Sequence, residues 1–273
     1  MLSNNINKNL GQLQAHPFHL VSPSPWPIFF TFSVSGTLFN LVMLFNNYIN
    51  DSYIFILNII TLLYCGLLWG KDIIAEATYL GHHTAKVSKG ISIGYLLFLF
   101  TELLTFAGVF WAYFHSALTP NIEIGELWPP LGITAIQATD LPLLNTLILL
   151  ASGATITYSH HGLIGKSWSA SVYGLLFTII LGILFIICQY IEYTLCTYTI
   201  ADSVYGTVFF ALTGLHGFHL FLGVFFLILS FYRLYTLQMT TTHHTGYSTT
   251  ILLWHFLDVM WLFVYIVCYY WGV

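Results

Sequence analysis

Charge is what this chain most lacks. Six lysines and arginines and ten aspartates and glutamates are spread over 273 residues, so 6% of the chain is charged while 58% is hydrophobic. An ordinary soluble domain is roughly a quarter charged, and a soluble fold of this length could not clothe its surface with so few ionic side chains. Lipid is therefore the main solvent. The net charge of −4 is small and diffuse, which argues against a nucleic-acid partner and against an acidic tail. Cysteine is sparse too. Cys65, Cys188, Cys196 and Cys268 lie in or beside apolar stretches and never at CxxC spacing, so they read as small structural hydrophobes. Neither a CxxCH for covalent haem nor a cysteine-rich copper motif occurs. Met1 to Gln14 is polar and asparagine-rich, with one lysine and no apolar core. It is expected to be neither a signal peptide nor a transit peptide, which leaves insertion to the first apolar helix.

What the chain does have is long apolar runs. Seven segments reach the roughly 20 residues that a helix needs to cross the hydrocarbon core: about 26–46, 53–70, 91–114, 141–159, 169–193, 203–232 and 251–271. The expected fold class is all-α, a polytopic membrane protein of seven transmembrane helices. Trp26, Trp69, Trp111 and Tyr269-Tyr270-Trp271 bracket several spans, as amphipathic rings do at headgroup level. An odd number of crossings puts the termini on opposite sides. Dealing the loops alternately then places Lys8, Lys71, Lys86, Lys89, Lys166 and Arg233 all on the amino-terminal side. Asp51, Glu123, Glu126, Asp140 and Asp202 fall on the other. The positive-inside rule asks only for an excess, and a wrong helix count would have scrambled so complete a sorting. The polar stretch 71–90 is the expected seam between residues 1–70, an N-terminal segment with two helices, and 91–273, a five-helix bundle. Pro120, Pro129, Pro130 and Pro142 make the connection 115–140 stiff rather than a flexible linker.

Glu102 lies midway along the third span, in LFLFTELLTFAG. A charge at that depth costs about 2.5–3.5 kcal/mol on insertion scales, and burial favours the neutral carboxyl. Two readings stay open: proton handling or a grip on a lipid or polar neighbour, and a neutral carboxyl hydrogen-bonded to another helix. In the sixth span His216 and His219 are three apart and share a face. Gly206, Gly214, Gly217 and Gly223 offer small surfaces for close helix approach there. Two neutral imidazoles make an incomplete metal site, so packing and interhelical hydrogen bonds are the expectation. His255 and Asp258, also three apart, read as a structural pair in which the carboxylate orients the imidazole. The doublets His82-His83, His160-His161 and His243-His244 lie on the basic side, suited to headgroup contacts and loop capping.

Two other functions are weighed. A haem-carrying oxidoreductase needs axial histidines at matching depth on facing helices, and only the sixth and seventh spans hold histidines well inside. A secondary transporter, with Glu102 and Asp258 as coupling carboxylates, usually shows broken helices in paired positions, whereas these spans read as continuous.

From about His16 to Gly272 the chain resembles the subunit III family of the haem–copper cytochrome c oxidases, mitochondrial type. The residues that carry the resemblance begin with His16-Pro17-Phe18-His19-Leu20-Val21, Ser24-Pro25-Trp26-Pro27, Gly81, His83-Thr84, Val87 and Gly90. Glu102 matches the family's intramembrane glutamate, and Phe110-Trp111-Ala112-Tyr113-Phe114-His115, Trp128-Pro129-Pro130, Pro142 to Thr146 and Ser152-Gly153 follow in order. Gln189, Glu192-Tyr193, Thr199-Ile200, Asp202, Tyr205-Gly206, Trp254 to Val259 and Trp261-Leu262-Phe263 complete the match.

The resemblance implies two bundles, helices one and two apart from three to seven, with phospholipids in a V-shaped cleft. It implies a noncatalytic subunit of an oxidase that reduces oxygen to water with electrons from cytochrome c and pumps protons. The subunit stabilises the core and supports proton uptake. No cofactor is bound by the chain itself, and haems and copper centres belong to partner subunits. The partners implied are subunits I and II, accessory subunits, phospholipids and a respiratory supercomplex, without nucleic acid. The location implied is the mitochondrial inner membrane, with the amino terminus on the matrix side and the carboxyl terminus on the intermembrane-space side. Lys71, Glu76, His83 and Arg233 are the expected lipid-headgroup residues. Departures occur where the family commonly has Trp-Trp-Arg-Asp and this chain has Trp69-Gly70-Lys71-Asp72, because lysine lacks the planar fork that grips phosphate in a bidentate way. Ala75 and Ser248 replace a basic and an acidic residue of the family.

Overall fold

A computed structural model describes residues 16–48 and 52–272. The amino-terminal segment with Lys8, and Asp51 in the first connection, lie outside the described residues. Seven helices are long and apolar enough to cross a membrane: α1 (Trp26–Phe45), α2 (Tyr53–Thr78), α3 (Ala85–Leu118), α4 (Leu141–Ile164), α5 (Trp168–Leu195), α6 (Val204–Tyr235) and α7 (Thr245–Val264). A π-helical turn, Tyr265–Trp271, continues α7. Among the described residues there is no strand.

The helix starts follow from local chemistry. Pro27 and Pro142 sit in the first turns of α1 and α4, where a missing N–H costs nothing. The Ser203 hydroxyl caps α6 by accepting from the Gly206 amide at 3.4 Å. Several helices are longer than their apolar runs, α2 and α3 most of all. At 1.5 Å per residue the 26 residues of α2 span about 39 Å and the 34 of α3 about 51 Å, against a hydrocarbon core of about 30 Å. The polar stretch 71–90, expected as a connection, is therefore mostly helix, and the turn itself is residues 79–84. Hydropathy marks where lipid ends, whereas a helix persists into the headgroup layer until something breaks it. Here that is Gly81, at φ +67°, a conformation that favours glycine.

The chain divides into two compact units, residues 1–91 and 92–273. In the first, α1 and α2 pack antiparallel. Trp26 Nε1 donates to Asp72 Oδ2 at 2.6 Å, Phe30 meets Trp69 edge-on at 5.7 Å, and Gly36 lies against the Asn58 amide. Asn40 is the one buried residue of the two helices, and much of their apolar surface remains exposed, as befits helices solvated by lipid.

In the second unit α7 is the most enclosed helix. Its indoles are buried yet satisfied: Trp254 Nε1 donates to Ser152 Oγ and Trp261 Nε1 to Thr146 Oγ1, both at 2.9 Å. The Tyr247 hydroxyl reaches Ser159 Oγ at 2.7 Å, and that serine donates to the Ser171 carbonyl at 2.6 Å. Pairing inside the bundle matters because lipid offers no substitute partner. Close helix approach falls largely elsewhere than expected. A methyl group at Gly214 or Gly217 would meet nothing within 4 Å, whereas one at Gly174 would sit 2.9 Å from Ser159 and one at Gly162 2.7 Å from the Ser171 amide. The small residues that permit tight packing are chiefly those of α4 and α5. In α6, Gly206 and Gly223 are the crowded positions, facing Thr199 and the Trp254 ring.

Candidate functional site

Three polar groups stand inside the span region of the second unit. Glu102, on α3, meets His219 of α6 with Oε2 and Nε2 2.8 Å apart, and the two side chains keep only 19% and 12% of their exposure. His219 Nδ1 lies 2.8 Å from the Leu215 carbonyl. A carbonyl only accepts, so Nδ1 carries a proton, and one further proton is shared between Nε2 and the Glu102 carboxyl. Wherever that proton sits, the pair has no net charge, which is what membrane depth demands. The Phe106 ring packs 5.5 Å from the His219 ring and meets Phe256 edge-on at 6.1 Å.

His216 shares a helix face with His219 but reaches a different helix. It is fully buried, and Nε2 donates to the Leu257 carbonyl of α7 at 3.2 Å, while its ring packs against both Phe185 and Trp261, at 5.7 and 5.1 Å. His255 Nδ1 and Asp258 Oδ2 are 3.3 Å apart on α7. The carboxyl lies against Gly153, where a methyl group would come within 2.7 Å of Oδ2, and Thr157 Oγ1 lies 3.3 Å from His255 Nε2. Glu102, His219 and Asp258 are mainly enclosed by protein, the usual setting of ionisable groups at this depth, whereas the His255 side chain keeps 42% of its exposure.

The expected headgroup residues fall in two places. Lys71 is exposed on the last turns of α2. Glu76 lies one turn further on, and its carboxylate converges with His83 and with His19 from the segment before α1. Residues 16 and 19 had drawn notice in the sequence only through the family resemblance, because nothing local ties a histidine at 19 to a glutamate at 76. Arg233 belongs to the second unit. It sits half-buried in the last turn of α6, its guanidinium 3.2 Å from the place a methyl group at Gly246 would take.

Residues 16–273 match the family model described as cytochrome c oxidase subunit III. The chain is 55% identical over 260 residues to cytochrome c oxidase subunit 3 of Kluyveromyces lactis, covering 95% of this chain and 97% of that one. It is 49% identical over 267 residues to the Yarrowia lipolytica subunit 3, covering 98% and 100%. The Saccharomyces cerevisiae subunit 3 is 50% identical over 260 residues, covering 95% and 97%. The chain belongs to the cytochrome c oxidase subunit III family. Membership makes this multi-pass protein a subunit of an oxidoreductase complex and gives no support to the transporter reading of Glu102 and Asp258.

One further site in this subunit III chain escaped the sequence reading. Glu192 is 2% exposed, and its Oε1 accepts from the Tyr269 hydroxyl at 2.6 Å and from the Gln189 amide at 3.0 Å. It borders a cavity of about 330 Å³ lined also by Thr134, Gln137, Asp140 and Cys196. Near the end of a span a carboxylate passes for an interfacial one, and only the fold shows it to be enclosed. Beside it, just past α5, burial pushes the Cys196 thiol up to about 11. That thiol stays protonated and is a poor nucleophile or ligand.

Proposed function

We propose that this subunit III chain is a noncatalytic, lipid-binding core subunit of the respiratory oxidase in the mitochondrial inner membrane. Haems and copper centres reside in subunits I and II, and this chain stabilises that core and supports proton uptake through it. Accessory subunits and a supercomplex complete its surroundings. The amino terminus faces the matrix and the carboxyl terminus the intermembrane space, with a two-helix bundle and a five-helix bundle joined near residues 71–90. Lys71, Glu76 and His83 in the first bundle and Arg233 in the second hold phospholipid headgroups at the matrix face, where each basic group near anionic lipid adds about 1 kcal/mol.

The observation that carries this reading is the sorting of cations along a family-length match. Lys71, Lys86, Lys89, Lys166 and Arg233 all fall at helix ends or turns that seven crossings assign to one side. The test is to strip the chain from the purified oxidase and measure haem, copper and the first turnovers. Haem and copper content are expected to be unchanged and initial oxygen reduction retained. Loss of a metal centre with the chain would overturn the noncatalytic assignment.

A further inference from the structure

A cluster at the basic end of the first unit has the composition of a cation site. His19, Glu76 and His83 each present one ligand atom, and these atoms all lie within 4.8 Å of one another. They come from three separate pieces of chain: the segment before α1, the last turns of α2 and the α2–α3 turn. Each piece is fixed by contacts other than the ligand atoms themselves. The His82 amide donates back to the Glu76 carbonyl at 3.0 Å, which lays the turn against the end of α2. Thr84 Oγ1 donates to the Pro17 carbonyl at 2.6 Å, and the Lys86 ammonium sits 4.9 Å above the Phe18 ring. The His19 ring stacks on His82 at 4.9 Å with planes 10° apart. The three donors are thus brought together by a framework that does not depend on what they bind.

We propose that His19, Glu76 and His83 form a binding site for a first-row divalent cation, zinc the best match, where the segment before α1 and the α2–α3 turn meet the last turns of α2. Two neutral imidazoles and one carboxylate suit zinc, which takes such sets tetrahedrally with water as a fourth ligand. Bonds of about 2.0 Å would set the ligand atoms about 3.3 Å apart, so closure asks of these side chains a contraction of at most about 1.5 Å. Charge points the same way. The donor set carries one negative charge, which attracts a dication. The site would cross-link the segment before α1 to the α2–α3 turn. It goes beyond the oxidase reading and does not rest on it, although it draws on two of the residues assigned above to headgroups.

The experiment is zinc binding by the assembled oxidase, freed of loosely held metal, with the native chain and with Glu76→Gln, His19→Ala and His83→Ala. Bound phospholipid is counted by mass spectrometry in the same samples. The proposal expects each variant to lose one tight zinc ion per complex, its affinity falling by about 100-fold or more. Unchanged zinc stoichiometry and affinity in all three variants would overturn it. Loss of a phospholipid with zinc unchanged would overturn it too, while upholding the headgroup reading; loss of zinc with the lipid count unchanged would do the reverse. Should the variants fail to assemble, the native complex decides. Zinc is expected to shield His19 and His83 from carbethoxylation by about tenfold relative to His115, the mass-action result at a concentration about ten times Kd. Equal modification with and without zinc would contradict the site.

Discussion

At the scale of single residues, what the bilayer forbids is an unmatched charge, and Glu102 shows how that is met. Its carboxyl and the His219 imidazole share one proton across a 2.8 Å gap, while the other ring nitrogen donates to Leu215. Replacing the carboxyl by an amide keeps a donor to Nε2. Glu102→Gln is therefore expected to assemble, with a stability change within about 1 kcal/mol. His219→Leu removes the partner and leaves Glu102 unmatched, which costs about 1–3 kcal/mol. Thermal unfolding of the two variant complexes, compared with the native one, reads the difference. Equal behaviour would mean that the contact is incidental. The sequence shows the cost of Glu102 plainly, because composition and depth alone set it. Its partner is not legible: His219 is 117 residues away, and the three-residue spacing of His216 and His219 gives no sign that they reach different helices. His19 is less legible still, since no periodicity marks an isolated histidine in a polar lead-in.

At the scale of helices, the number and order of the elements were readable because seven apolar runs are a strong signal. Their ends were less so. The sequence measures where lipid begins and ends, and α2 and α3 both outrun that layer, so 71–90 turned out to be chiefly helix. Packing faces were the weakest part. Glycines draw attention wherever they recur, yet which of them meets another helix depends on rotation about the helix axis, and in a run apolar on every side no polar stripe reveals that rotation. The structure separates the two kinds. Gly174→Val would force a branched side chain against the Ser159 backbone, 2.9 Å from the first added carbon, whereas Gly214→Ala meets nothing within 4 Å. Overpacking of a tight contact costs about 1–3 kcal/mol. Gly174→Val is expected to lower the yield of assembled complex severalfold and Gly214→Ala to leave it unchanged. Equal yields would show that α4 and α5 can separate without penalty.

At the scale of the whole molecule, two features govern the rest: the chain crosses seven times, and its cations collect where the odd-numbered helices begin and the even-numbered ones end. The short turn at 165–167 carries Lys166, while the long proline-rich connection at 119–140 and the turn at 196–203 carry acidic residues. The same arithmetic puts His19, Glu76 and His83 with the lysines. The most direct test is site-resolved labelling by a membrane-impermeant maleimide applied to mitoplasts, on chains carrying Glu126→Cys, Asp202→Cys or Lys166→Cys. Cysteines at 126 and 202 are expected to react from the intermembrane-space side and the one at 166 only after the membrane is opened. Reaction at 166 without opening, in place of or together with 126, would contradict the topology and the assignment of faces built upon it.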